Sequence, residues 1–386
     1  MFSLFAGKEK EKLTLIFDIQ SSVVRGALVQ GLHKGTPSIL HSCIIHVPFR
    51  SNSGSSYLIK RTMKAVSDVL EDAHGYISGL DKNIYSKKLD AIHFVLSSPW
   101  VTSQARVVSI QKGEEIEVSQ KTIQQIVDEE RVKAVSDASL LAVVEEKVFD
   151  VRLNGYSVSN WQDKSAKDIE VSYTSSYANK SVTEKFKSSC YNYISKSDIH
   201  FHSSLLLQYM GLQNIYENTS DYCIVYLHGE LTDTVVVRHG FPVFFGSFPF
   251  GVQTLIRKIA KNAKVDIGTA ESMLALLIGD HTDVANFEAT KTIIEDVTNG
   301  WRDELKKMLS KNVDTSSSNY DFIVSSRTHE DYFLLCVRQM YTKAHVQSLS
   351  SDMVQRKVPF SNKAEHIRLL ALYAAALIDT QPIKQS

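Results

Sequence analysis

A chain of 386 residues with 43 basic and 43 acidic side chains has no formal net charge, which argues against a polyanion such as nucleic acid as partner. Hydrophobic residues at 43% and charged residues at 22%, with only seven prolines, describe a folded globular protein of two to three domains and exclude a disordered one. Cys43, Cys190, Cys223 and Cys336 show no paired spacing, so a reducing cytoplasm suits them, and Cys223 and Cys336 fall in apolar runs that would bury a small thiol. No run reaches the ~20 apolar residues that span a bilayer. The apolar start, Met1–Phe5, could touch a membrane surface, but it is too short to bury much area there.

In chain order, Leu13–Val29 reads as strand, polar turn, strand, with Asp18-Ile-Gln-Ser-Ser22 at the break. Ser38–Pro48 is a further strand, and the spacing of Leu58, Ile59, Met63, Val66, Val69 and Leu70 predicts a helix over 57–73. A strand over Ala91–Ser97 follows. The texture then changes. Residues 101–197 carry a strand at 107–110, a helix at 119–132 with Ser119 as its cap, and strands near 146–153 and 168–173. Asn154-Gly155 is a hairpin signal, and 181–193 reads as helix. A strand-to-helix passage starts at Ile199. Cys223–Val237 then repeats the strand, turn, strand pattern, with a third strand at 241–245 and a helix at 251–262. Helices at 270–278 and 292–309, a strand at 320–325 and an Ala-rich closing helix at 363–378 complete the chain.

Two hairpins, each opening a β, β, β, α half, resemble the phosphate-gripping hairpins of the actin-like ATPases. With a subdomain inserted after the first half, the chain resembles the FtsA and PilM proteins of bacterial division and type IV pilus assembly. The resemblance implies an α/β actin-like ATPase fold of two ribonuclease-H-like half-domains with an inserted α+β subdomain. The first half would be 1–100, completed by about 198–220 and the C-terminal helix 363–386. The insertion would be 101–197, hanging off the first half. The second half would be 221–362, with a small helical insertion at about 251–318.

In such proteins glycines let a phosphate approach the backbone, and a carboxylate in each hairpin orients Mg²⁺ and its waters. The first hairpin keeps Asp18, with Ser21 and Ser22 as donors, but Gln20 stands in the glycine position. The second keeps Gly229, Thr232 and Asp233, while Tyr226 replaces an acid and His228 a glycine. Ser326-Arg327 takes the place of a Gly-Gly turn, and Ala270-Glu271 is followed by Leu274 where a lysine is expected. If ATP and Mg²⁺ still bound, Asp18, Ser21, Ser22, Gly229, Thr232, Asp233, Glu271 and Ser326 would hold them. So many departures in motifs that serve one ligand predict lost ATP turnover and no cofactor.

The resemblance then implies a PilM-like cytoplasmic scaffold, peripheral to the inner membrane, that binds the cytoplasmic tail of an inner-membrane protein, with self-association as a second mode of contact. The alternatives are a divergent ATPase and an FtsA-like division tether. Trp100, Tyr156, Trp161 and Tyr173 are the candidate partner-binding aromatics, with core filling as the competing role. His200 and His202 alternate on a strand without a third ligand nearby, so metal binding is not expected, and Arg302, Lys306, Lys307 and Lys311 form a basic strip read as a solvated face.

Overall fold

The computed structural model describes residues 11–32, 36–48, 54–86, 88–134, 140–194, 198–216, 221–277, 287–311, 320–360 and 365–378. The apolar start Met1–Phe5 lies outside them. The chain begins with β1 (Leu13–Ile19), β2 (Val23–Gln30), β3 (Ser38–His46), α1 (Ser55–Gly79) and β4 (Ala91–Leu96). Next come β5 (Val101–Val118), α2 (Gln120–Ala134), β6 (Leu141–Leu153), β7 (Tyr156–Ser157) and β8 (Lys164–Asn179). After these run α3 (Lys180–Cys190), β9 (Ile199–Ser203), α4 (Ser204–Ile215), β10 (Tyr222–Leu227), β11 (Thr232–Arg238) and β12 (Phe241–Phe248). The last elements are α5 (Val252–Ala263), α6 (Ile267–Leu276), α7 (Phe287–Ser310), β13 (Asp321–Ser326), α8 (Glu330–Met340), β14 (Val346–Ser348), α9 (Ser351–Lys357) and α10 (Glu365–Leu377).

Two compact units result. The first comprises Met1–Ser97, Val182–Glu217 and Ser350–Ser386. Its sheet runs β3-β2-β1-β4-β9, with β1 to β3 antiparallel and β4 and β9 parallel to β1. Every residue of β1 and β4 is buried, which is why both read as mainly apolar runs, broken by Thr14 and Asp18 in β1 and by His93 in β4. Phe94 stacks on Phe17 at 4.7 Å, on Phe201 at 5.2 Å and on Phe186 of α3 at 5.4 Å. These contacts draw α3 into this unit, although it lies inside the stretch 101–197 that the sequence assigns to the insertion. Gly26 lets α1 sit close on β2, because a Cβ there would fall 2.4 Å from Val69 Cγ1. Gly211 does the same for α4 against Leu372 of α10, and the buried Ser204 and Tyr373 hydroxyls pair at 2.7 Å.

The second unit comprises Ser98–Ser181 and Asn218–Leu349. It holds a sheet of the same order of directions, β12-β11-β10-β13-β14, over a core that includes Leu255, Ile259, Leu274, Trp301 and Phe333. It also holds a separate four-stranded sheet, β5-β8-β6-β7. Helix α2 buries Ile123, Ile126 and Val127 on Val151, Ile169, Val171 and Tyr173 of that sheet. Ser119 caps it, its Oγ accepting from Thr122 N at 3.1 Å. Asn154 (φ 51°) and Gly155 (φ 83°) form the tight turn that joins β6 to β7. The inserted sheet thus falls in the unit of the second half, where β5 runs near β12. Helices α8 and α9 and strand β14 were not legible in the sequence.

Candidate functional site

The first hairpin closes through a two-residue turn, Ser21-Ser22, with Gln20 N donating to Val23 O at 3.0 Å. That register sets Arg25 of β2 directly opposite Asp18 of β1. Both side chains are buried, and Arg25 Nε donates to Asp18 Oδ2 at 2.6 Å while its Nη2 forms an ion pair with the same oxygen. Gln20, in the glycine position of the motif, folds back so that Nε2 donates to Asp18 Oδ2 at 2.7 Å. One carboxylate oxygen therefore carries three donors, and Oδ1 is buried without a hydrogen-bond partner. A buried acid is tolerable only when paired, and here the pair is internal. Arg25 was missed in the sequence. The signal was available: a lone charge in the apolar run Val23–Val29, set by a two-residue turn across from the only acid of β1.

The second hairpin repeats the arrangement with other residues. His228 N donates to Leu231 O at 3.1 Å across the two-residue turn Gly229-Glu230. Asp233 lies opposite Tyr226, and His228 Nε2 comes within 3.1 Å of its Oδ2. Ser98 N, at the head of the inserted sheet, donates to the same oxygen at 3.2 Å. Burial pushes the Asp233 carboxyl up, but the charge of His228 and hydrogen bonds from His228, Ser247 and Ser98 outweigh it and hold the group below its ordinary value. Neither turn has a positive φ, so side chains at 20 and 228 cost no backbone strain.

The remaining site residues are placed as follows. Thr232 Oγ1 donates to Phe250 O at 2.6 Å and accepts from Trp301 Nε1 at 3.0 Å, so its hydroxyl serves the core. Gly229 O accepts from Gln253 N, and His228 O from Val252 N, tying the turn to the start of α5. Ser326 N donates to Glu330 Oε1 at 3.2 Å, and Ser326 Oγ to Thr328 O at 2.8 Å. Glu271 is exposed, while Leu274, in the lysine position, is fully buried in the core. Ser21 is buried and Ser22 O accepts from Val47 N.

Of the aromatics proposed for partner binding, Trp100 and Tyr173 are buried, and burial pushes the Tyr173 phenol up to about 12. Trp161 is partly buried against the α2 core, and only Tyr156 is largely exposed, at 77%. Tyr173 thus fills the core of the inserted sheet, and Tyr156 is the one of the four that is presented at the surface. His200 and His202 gain a third histidine, His93 of β4, whose Nδ1 lies 3.0 Å from His202 Nε2. Among the described residues no group of three or more His, Cys, Asp or Glu is arranged to hold a metal. Lys306, Lys307 and Lys311 are exposed, while Arg302 bonds Asn299 and Gln339. No described helix is long and apolar enough to cross a membrane.

No family model matches the sequence, and neither does any curated protein. Solved structures do match. A PilM–PilN type IV pilus biogenesis complex superposes with a TM-score of 0.63 at 12% identity, over 96% of this chain and 99% of that one. The fold is that of the actin-like ATPases. Two further similar structures are a protein of actin-like ATPase fold and unknown function from Bacteroides thetaiotaomicron (TM-score 0.41, 11% identity, 96% and 99% coverage) and the ethanolamine utilization protein EutJ from Carboxydothermus hydrogenoformans (0.47, 9%, 96% and 90%).

Proposed function

We propose that this protein is a PilM-like cytoplasmic scaffold of an inner-membrane type IV pilus or secretion assembly, and that it does not turn over ATP. The observation that carries the reading is the engagement of both hairpin carboxylates. Asp18 is held by Arg25 and Gln20, and Asp233 lies against His228 and Ser98 N. A Mg²⁺ ion needs such oxygens for itself or for its waters, and here nitrogen groups of the protein already lie on them. The side chains of Gln20 and His228 add bulk where a phosphate requires bare backbone. These residues do not suit a Mg²⁺–nucleotide.

The likeness in fold to a PilM–PilN complex over nearly the whole chain supports the scaffold half of the proposal. Its partner is then the cytoplasmic part of an inner-membrane protein, and the chain is peripheral to that membrane. The inserted sheet is the proposed docking region. It exposes Val107 at 63% on the edge strand β5, and Tyr156 beside the β6–β7 turn. An extended tail can add to such an edge with side-chain contacts giving selectivity.

Two measurements test the proposal. Phosphate release from Mg²⁺–ATP is expected to stay at background, and turnover that Asp18→Ala or Asp233→Ala abolishes would overturn the reading. Capture of solubilised inner-membrane proteins on the intact chain is expected to retrieve a membrane partner that a Val107→Asp, Tyr156→Ser variant loses. Equal recovery would remove the inserted sheet as the docking site.

A further inference from the structure

We propose that Asn154 is a site of self-modification, where its side chain cyclises on Gly155 and the asparagine becomes aspartate and isoaspartate. Asn154 and Gly155 form the turn between β6 and β7, and both are exposed. The same dipeptide occurs at Asn299-Gly300, so the sequence alone does not single out one of them. The structure does.

The reaction needs a nucleophile, a polarised carbonyl and an open path. The nucleophile is the backbone nitrogen of Gly155, and among the described residues no hydrogen bond holds its N–H. The path is open, since even a Cβ built on Gly155 would meet nothing within 4 Å. The carbonyl is that of the Asn154 side chain. Two backbone groups of β8 donate to its Oδ1, Lys167 N at 3.1 Å and Asp168 N at 3.1 Å. They draw charge away from Cγ, and they already lie on the oxygen that turns negative when Cγ becomes tetrahedral. Asn154 N also donates to Asp168 O at 2.8 Å, which fixes the residue against β8.

Asn299-Gly300 lies within α7 and makes the comparison. Asn299 is exposed too, and its Oδ1 also accepts a donor, Arg302 Nη1 at 3.1 Å. The difference is the nucleophile. Gly300 sits inside the helix, where its N–H donates to the carbonyl four residues back. A nitrogen held in that way cannot turn onto the neighbouring side chain.

The steps need only hydroxide and water. Hydroxide takes the proton of Gly155 N and the N–Cγ bond forms. The Cγ–Nδ2 bond then breaks, and the amine leaves as ammonia with a proton returned by water. Water opens the resulting cyclic imide at either carbonyl. Opening at Cγ gives aspartate; opening at the main-chain carbonyl gives isoaspartate, which routes the main chain through the former side chain. A tight turn does not fit that extra carbon, so the pairs Arg152–Ser157 and Leu153–Tyr156 should part. The change therefore falls on the surface that carries Tyr156. This inference does not depend on the proposed function.

The test uses the full wild-type chain and needs no variant. The folded protein is aged in mildly alkaline buffer and mapped by peptide mass spectrometry, with isoaspartate told from aspartate by its fragments. A mixture of the two acids is expected at 154, formed at least about tenfold faster than any change at 299. The same chain unfolded in urea frees both glycine nitrogens, and there the two rates should converge. An Asn154 that stays intact in the folded chain, or outpaces Asn299 by less than this, overturns the inference. So does aspartate alone at 154, because the amide would then hydrolyse directly without an imide. A rate difference that persists in urea would belong to the flanking sequence, and it overturns the inference as well.

Discussion

Asp18 shows how one residue can hold its place in a motif while its chemistry is redirected. Its charge is balanced across the hairpin by Arg25, and both side chains are almost fully buried. Removing one member of a buried pair leaves the other uncompensated, so Arg25→Met should cost about 3–5 kcal/mol by chemical denaturation. The Asp18→Asn, Arg25→Met double variant should cost less than the sum of the two single changes, and strict additivity would deny the coupling. Asp233 makes a separate prediction. Its carboxyl is held below the ordinary value, so it contributes stability above the unfolded pKa of about 3.9, and this is lost as pH falls through the folded one. The acid limb of the stability curve should therefore be flatter in Asp233→Asn than in wild type. The sequence showed that Gln20, Tyr226 and His228 depart from the motif. It left unread what those side chains do instead, because hydrogen-bond direction depends on register and turn length, which the residues alone do not display.

At the scale of elements, the second hairpin and α5 act as one piece. The first N–H groups of a helix have no partner within it, and here Val252 N and Gln253 N donate to His228 O and Gly229 O. Gly251 makes this approach feasible: a Cβ there would lie 2.2 Å from His228 O and 2.6 Å from Gly229 O. Backbone cannot yield as a flexible side chain can, so Gly251→Ala should cost about 1–3 kcal/mol, read as a lowered Tm. Gly26→Ala meets a side-chain methyl instead and should cost less. Most strands and long helices were legible, since Leu13–Ile19, Tyr222–Leu227 and α1 carry strong runs or periods. α3 was legible as a helix, but a period cannot say which sheet it packs on, and Phe186 decides that. β14, three residues long, and the seven-residue α9 are too short to present any period.

At the scale of the molecule, each half keeps the same order of strand directions and the same hairpin, and in each the carboxylate is met by a side-chain nitrogen of that half, from Arg25 or His228. A nucleotide-binding member of the fold needs its carboxylates available in both halves. Restoring one is therefore not enough, and the two substitutions reinforce each other as evidence for the proposed loss. The consequence can be measured on the whole protein without assuming any reaction. A ligand at a hundred times its Kd stabilises the folded state by about 2.7 kcal/mol, which for domains of 150–250 residues raises Tm by roughly 5–11 °C. Millimolar Mg²⁺–ATP or Mg²⁺–ADP is expected to leave the Tm of wild type within about 1 °C of the value with Mg²⁺ alone, a limit far below what saturating binding imposes. Arg25→Met should not restore binding, because Gln20 and His228 still fill the turns. A rise of several degrees in wild type, lost in Asp18→Ala, would show that Arg25 yields the carboxylate to a ligand, and that the hairpin is a nucleotide site after all.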